Sequence, residues 1–386
     1  MVAGTLLLIA GLAIRWAFPP VRLPAPTGAY VVGTTTVEWV DRARAEPATE
    51  DPTDHRFVVT QLWYPAAPDA SGSPSWYLGR NAHEAKVVAR GIAETFGMPA
   101  LVFGQAARAH TPAFADVPAV LGEERFPLVL FSPGLQGIRQ QNTAWATELA
   151  SHGYVVAAVD HPYDSAIVVR TNTSTGSSTV TASGDDAEDQ RRADGWTAIR
   201  AADLRFVLTQ LTAMDRGMLP ANGARLTGRL DLRRVAVAGH SLGGAAAVQA
   251  AALDDRFRSA IDIDGFPRLT EAGAHHPPVL ALVAGRGTGS VDGDRRYADA
   301  VTEVLSRSAR PSLRLVVRKA AHLSFTDAAL YLPPVPSLFG TGGRSATIEV
   351  TERASMAFLE ATLNGRDHAA LGQQLAELGE VTEFGR

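Results

Sequence analysis

The chain has 386 residues, 46% of them hydrophobic and 20% charged, and a formal net charge of −4. That balance, with no Lys/Arg cluster, argues against nucleic acid as a partner. There is no cysteine, which excludes disulfides, a thiol nucleophile and cysteine-ligated zinc but leaves the redox compartment open.

Residues 1–14 are almost wholly apolar, with Leu6-Leu7-Leu8-Ile9 at their centre, and Arg15-Trp16-Ala17-Phe18-Pro19-Pro20 ends the run. Counted through Phe18 it sits at the lower limit for a bilayer span. It also lacks the basic start and A-x-A site of a signal peptide. Residues 1–20 therefore read as a hydrophobic membrane anchor, against a buried helix of the globular domain as the competing reading. Arg15 and Arg22 bias the domain that follows toward the cytoplasm, although the membrane face, extracytoplasmic or cytoplasmic, stays open.

Residues 27–386 read as a single domain. Residues 30–40 and 57–64 are rich in β-branched side chains and predict strands. An insertion follows at about 66–125, helical most clearly over 81–96. Its Trp76, Tyr77, Phe96, Leu101 and Phe103 are more apolar bulk than a surface loop normally exposes. Further strands are predicted at 128–131, 154–159, 235–238, 259–263, 279–283 and 313–317, with helices at 142–152, at 196–214 and after Ser241. Residues 171–195 read as a polar surface excursion. Continuous apolar strands separated by helices predict an α/β fold, a mostly parallel central sheet covered on both faces.

Gly239-His240-Ser241-Leu242-Gly243 follows the apolar run Val235-Ala236-Val237-Ala238 and precedes Gly244-Ala245-Ala246-Ala247-Val248. Strand, G-x-S-x-G, helix is the setting of a nucleophile elbow, the signature of the α/β-hydrolase fold. A sharp strained turn exposes the serine hydroxyl, and side chains on the flanking glycines would collide with the strand and helix. Serine needs a base and the base an orienting carboxylate, in the chain order Ser, acid, His. Of the histidines after Ser241, His275 and His276 precede a strand and His368 lies in a C-terminal helix. His322 alone follows a late strand, which makes it the base. For the acid, Asp262 and Asp264 close one strand and Asp292 and Asp294 follow the next. Alternation places Asp262 and Asp264 on one face, and spacing leaves Asp264 and Asp292 even. The oxyanion hole needs Leu242 N–H and a donor in Ser132-Pro133-Gly134-Leu135-Gln136. Proline has no N–H, so Leu135 comes first and Gln136 next. Neither H-x-x-x-H nor H-E-x-x-H occurs, so no metal or other cofactor is expected. His161 reads as structural.

An ordered series of segments resembles the plasma-type platelet-activating-factor acetylhydrolase family, as a bacterial member. It comprises Phe126-Pro127-Leu128-Val129-Leu130-Phe131-Ser132-Pro133-Gly134-Leu135, Ser151-His152-Gly153-Tyr154, Asp203-Leu204-Arg205-Phe206, the elbow, Ile261-Asp262-Ile263-Asp264-Gly265-Phe266-Pro267 and His322-Leu323-Ser324-Phe325. The resemblance implies Ser241 as nucleophile, Asp264 as acid and His322 as base, with Leu135 and Leu242 supplying the oxyanion hole, and it decides for Asp264. It also implies calcium-independent hydrolysis of short or oxidised sn-2 acyl groups of phospholipids, the bacterial relatives being broader carboxylesterases. Pro133 stands where the family usually has histidine, and Leu242 where its eukaryotic members have an aromatic. The alternative is a carboxylesterase or polyester hydrolase with no phospholipid preference; a catalytically inactive fold serving as a binding module is the reading from another class. The expected partner is a small-molecule or lipid ester, with membrane association through residues 1–18.

Overall fold

Apolar side chains alternating along short strands, buried on both faces, build this molecule. The computed structural model describes residues 19–385 except 172–173, 176–177, 182, 220–225, 270–275, 288, 309–310 and 367. The hydrophobic segment 1–18 and His275 thus lie outside the described residues. Among the described residues no helix is long and apolar enough to cross a membrane.

The strands are β1 (Val31–Ala45), β2 (His55–Ala66), β3 (Pro74–Trp76), β4 (His110–Ala115), β5 (Phe126–Ser132), β6 (Val155–Asp160), β7 (Val168–Val169), β8 (Ser174–Thr175), β9 (Leu230–His240), β10 (Phe257–Ile263), β11 (Val279–Ala284), β12 (Ser312–Val317) and β13 (Glu380–Phe384). β7 and β8 pair with each other. The rest form one sheet in the order β13-β12-β11-β10-β9-β5-β6-β2-β1-β4-β3. From β6 through β12 every neighbouring pair is parallel, while β1, β2 and β13 join antiparallel.

The helices that cover the sheet are α1 (Ala82–Thr95), α2 (Thr143–Ser151), α3 (Asp186–Asp215), α4 (Leu242–Leu253), α5 (Val291–Ser306), α6 (Ala346–Leu363) and α7 (His368–Ala376). Leu128 and Leu130 of β5 enter a core with Leu204 and Leu208 of α3, Ala246 and Ala250 of α4 and Val301 of α5. Val129 and Phe131, on the other face, pack with Trp145 of α2, Phe358 of α6 and Leu371 of α7. Period-2 alternation with both faces apolar is what requires helices on both sides. The expected α/β-hydrolase architecture is the one observed.

Three features depart from expectation. The insertion contains not only α1, capped by Asn81 Oδ1 on the N–H groups of His83 and Glu84, but also β3 and β4 at the sheet edge. These strands are too short to show a periodicity, and β4 meets β1 only at Gly33↔Phe114 and Thr34↔Ala115. Helix α3 begins at Asp186, not Trp196, because Asp185 accepts from Glu188 N–H and Glu188 pairs with Arg191 and Arg192. Polar solvated helix faces and Gly195 resemble a loop in sequence. β13 is an edge strand carrying Glu380 and Glu383, so it lacks the apolar run of the central strands. Of the insertion's bulky residues, Tyr77 and Phe103 are buried against Tyr331, whereas Phe96 and Leu101 stay exposed.

Candidate active site

Ser241 sits between the end of β9 and the start of α4 with φ 57° and ψ −125°. Such backbone strain costs roughly 1–3 kcal/mol and persists only where the surroundings dictate it. Here they do. Ser241 N–H donates to Ile263 C=O at 2.9 Å, tying the turn to β10. A Cβ on Gly239 would lie 2.1 Å from Gly243 O, and one on Gly243 would lie 2.1 Å from Ser132 O and 2.4 Å from Pro133 O. Both glycines are therefore steric requirements, one for the turn itself and one for contact with the loop after β5.

His322 opens a single helical turn, His322–Phe325, beyond β12. Its Nε2 lies 3.0 Å from Ser241 Oγ and its Nδ1 2.7 Å from Asp264 Oδ2. A carboxylate can only accept, so Nδ1 carries the proton and Nε2 is left to accept from the serine hydroxyl. The turn is held in place by Asn142 Nδ2, which donates to Phe325 C=O at 2.7 Å, and by Asp327 N–H, which donates to Gln141 C=O. His322 is exposed and Ser241, Leu242 and Leu135 are half-buried, so the group opens at the surface.

Asp264 lies one residue past β10 at φ 51°, a left-handed conformation. Its Oδ1 accepts from Ala284 N–H at 2.7 Å and from Tyr297 Oη at 3.3 Å. Burial alone would raise its pKa; the His322 hydrogen bond, with Ala284 N–H, outweighs that and holds it below the usual carboxylate value. Asp262 does not reach His322. It is buried under the elbow, its Oδ1 accepting from Gly265 N–H, and burial together with the Asp264 charge pushes it up to about 8. The expectation that the two share one face fails because alternation ends with the strand at Ile263. Asp292 is exposed in the first turn of α5, paired with Arg295. Asp294 lies in the same first turn. The structure brings Asp264 alone of the four to the histidine.

In the loop after β5, Gly134 N–H donates to Gln141 Oε1, Gln136 N–H to Asp164 Oδ1 and Gly137 N–H to Gly134 C=O. Among the described residues Leu135 N–H has no acceptor, and neither has Leu242 N–H at the start of α4. Two unoccupied amides, one at a helix N-terminus, suit a developing oxyanion. Gln136, the second choice from sequence, has its amide engaged.

Two further hydrogen-bonded groups lie beside the site. His240, read only as the variable residue of the motif, is buried; its Nδ1 accepts from Gln141 Nε2 at 2.8 Å and its Nε2–H donates to His322 C=O at 3.0 Å. Burial and the neighbouring His322 depress its pKa to about 3, so it stays neutral. A second Ser-His-Asp string lies behind the loop: Ser132 Oγ is 2.9 Å from His161 Nε2, and His161 Nδ1 is 2.8 Å from Asp203 Oδ2. All three are fully buried, and Asp203 is paired with Arg56 and Arg44. Burial, then Arg200, lowers the His161 pKa. No substrate reaches this string. His161 is structural, as expected.

A family model described as platelet-activating factor acetylhydrolase, isoform II, matches residues 16–380. The platelet-activating factor acetylhydrolase of Cavia porcellus is 26% identical over 298 residues, 70% of this chain and 66% of its own length. That of Bos taurus is 24% identical over 372 residues, 88% of this chain and 77% of its own length. The match to Cavia porcellus thus spans just under two thirds of that relative. A ferulic acid esterase from Streptomyces cinnamoneus superimposes with a TM-score of 0.74 at 30% identity, covering 94% of this chain and 99% of its own.

Proposed function

The chain belongs to the platelet-activating factor acetylhydrolase, isoform II, family, and from that premise we propose that it is a serine carboxylic ester hydrolase cleaving short-acyl esters. In this reading Ser241 is the nucleophile, His322 its base and Asp264 the carboxylate that fixes the histidine. Leu135 N–H and Leu242 N–H receive the oxyanion. The observation that carries it is the hydrogen-bonded run from Ser241 Oγ through His322 to Asp264, at 3.0 and 2.7 Å, on a strained elbow.

The chemistry follows from those contacts. His322 Nε2 takes the hydroxyl proton as Oγ attacks the ester carbonyl, and the carbonyl oxygen gains negative charge facing the two amides. On collapse the same proton passes to the leaving alcohol, leaving an acyl-serine. Water, deprotonated by His322, then releases the acid and restores Ser241. The half-buried leucine side chains at 135, 242 and 323 give the ester apolar but accessible surroundings, which suits a neutral short acyl group.

Within this reading the substrate is an sn-2 short-acyl phospholipid of the platelet-activating-factor type, as the names of the relatives support. Association with membrane lipid would come from the apolar residues 1–18. The similarity to a ferulic acid esterase over nearly the whole of both chains favours, as a second reading, a carboxylesterase without phospholipid preference. Hydrolysis of p-nitrophenyl esters from acetate to palmitate, beside a phosphatidylcholine with an sn-2 acetyl group, separates them. The first reading expects acetate over palmitate and turnover of the phospholipid, all lost in Ser241→Ala. Short-ester turnover with the phospholipid untouched supports the second reading, and residual activity in Ser241→Ala contradicts both.

A further inference from the structure

The loop after β5 presents Leu135 N–H to the site, and Gly134 C=O belongs to the same peptide unit. In a planar trans peptide these two groups point in opposite directions, so whatever holds the carbonyl aims the amide. Gly137 N–H holds it across the turn at 2.9 Å, and from behind it is held by the charged side chain of Arg200, in the middle of α3 and fully buried. Its Nη2 donates to Gly134 C=O at 2.9 Å and its Nη1 to Pro133 C=O at 2.5 Å. Nη1 also lies 3.3 Å from Ser132 Oγ. One guanidinium thus takes two consecutive loop carbonyls.

The guanidinium is itself fixed. Nε and Nη2 each lie 2.6 Å from an oxygen of Asp164, a two-pronged pairing that sets its plane. Asp164 Oδ1 in turn accepts Gln136 N–H at 3.3 Å, so the pair grips the loop on both sides of Leu135. Burial would raise the Asp164 pKa, but Arg200 outweighs it and the carboxylate stays ionised. With the amides of Gly134, Gln136 and Gly137 all engaged, Leu135 N–H is the one left for substrate in this stretch.

We infer that Arg200, clamped by Asp164, is a positioning residue for catalysis: it sets the direction of the oxyanion-hole amide of Leu135 by holding the far end of that peptide. This rests on the reading of Leu135 as an oxyanion donor. The charge on the guanidinium also polarises the peptide, making the N–H a stronger donor as the oxyanion develops. A device of this kind acts on the transition state and leaves ground-state binding alone.

The test compares wild type with Arg200→Lys, which keeps the charge but loses the fork, and with Asp164→Asn, which keeps the shape but loosens the clamp. On p-nitrophenyl acetate, Arg200→Lys is expected to lower kcat by about 10²-fold, the scale of one oxyanion donor, with KM within about threefold. Affinity for an aryl trifluoromethyl ketone, which forms an oxyanion on Ser241, falls by the same factor. Affinity for the corresponding unreactive amide does not change, nor does the acid limb of the pH profile for kcat/KM. Asp164→Asn shows the same pattern at smaller amplitude, and carries the test if Arg200→Lys does not fold. Equal losses for the ketone and the amide, or an unchanged kcat, overturn the inference. Labelling of wild-type Ser241 by a fluorophosphonate keeps the two claims apart: labelled enzyme with no ketone-selective loss refutes the positioning role alone. Unlabelled Ser241 refutes the esterase reading beneath it.

Discussion

Gly243→Ala probes how closely helix α4 must approach the oxyanion loop. The added methyl would lie 2.1 Å from Ser132 O and 2.4 Å from Pro133 O, both backbone atoms. Real Cβ contacts essentially never fall below 3.0 Å, so the helix start and the loop must part by about 0.9 Å. No flexible side chain can absorb that displacement. The loop is pinned from behind by Arg200 and the helix by Ser241 N–H on Ile263 C=O, so the gap opens between Leu242 N–H and Leu135 N–H. A misplacement of about 1 Å at a reacting centre costs on the order of 10²-fold in rate. Gly243→Ala is therefore expected to lose about 10²-fold in kcat on p-nitrophenyl acetate, with KM little changed. Thermal unfolding should report a loss of about 1–3 kcal/mol from overpacking. Full activity in a folded Gly243→Ala protein would refute the claim that the two amides act together across this contact.

Asp264→Asn should lower kcat by roughly 10⁴-fold by mis-setting the His322 tautomer, whereas Asp292→Asn, exposed on α5, should leave it unchanged; steady-state kinetics on matched, folded variants decide it. Asp262, pushed up to about 8 by burial and by Asp264, keeps in the folded state a proton that the unfolded chain loses near 3.8. Stability should thus fall as pH rises from about 4 to about 8, and Asp262→Asn should flatten that decline, as chemical denaturation at pH 5 and pH 8 will show. The proposed steps run on Ser241, His322 and Asp264 and route nothing through a cation, so EDTA should not change the rate; inactivation reversed by one metal would contradict this. Removing residues 1–18 should weaken binding to phospholipid vesicles while sparing turnover of a soluble short-chain ester.

The central sheet was legible because β5, β6 and β9–β11 are buried on both faces and carry the apolar runs that such burial demands. The edges were not. β3 and β4 are short, β13 alternates with glutamates, and the first turns of α3 are stabilised by Asp185 and Glu188 in a stretch that reads as a loop. Ser241 was legible because two backbone contacts leave room for nothing larger than glycine at 239 and 243. His322 followed from chain order. Asp264 did not follow from spacing, since a single positive φ, invisible in sequence, sends its side chain to the histidine while Asp262 stays beneath the elbow. Arg200, Asp164 and Gln141 carried no signal at all: their role lies in side-chain contacts to the carbonyls and amides of the loop after β5, which no spacing or periodicity announces.

The central claim is that one serine, Ser241, is activated while the second Ser-His-Asp string is not. Intact mass and peptide mapping after reaction with a fluorophosphonate test it most directly. A single adduct per chain on the peptide containing Ser241, absent from His322→Ala at equal exposure, is the predicted result. An adduct on Ser132, or labelling of Ser241 that survives the loss of His322, would contradict the account.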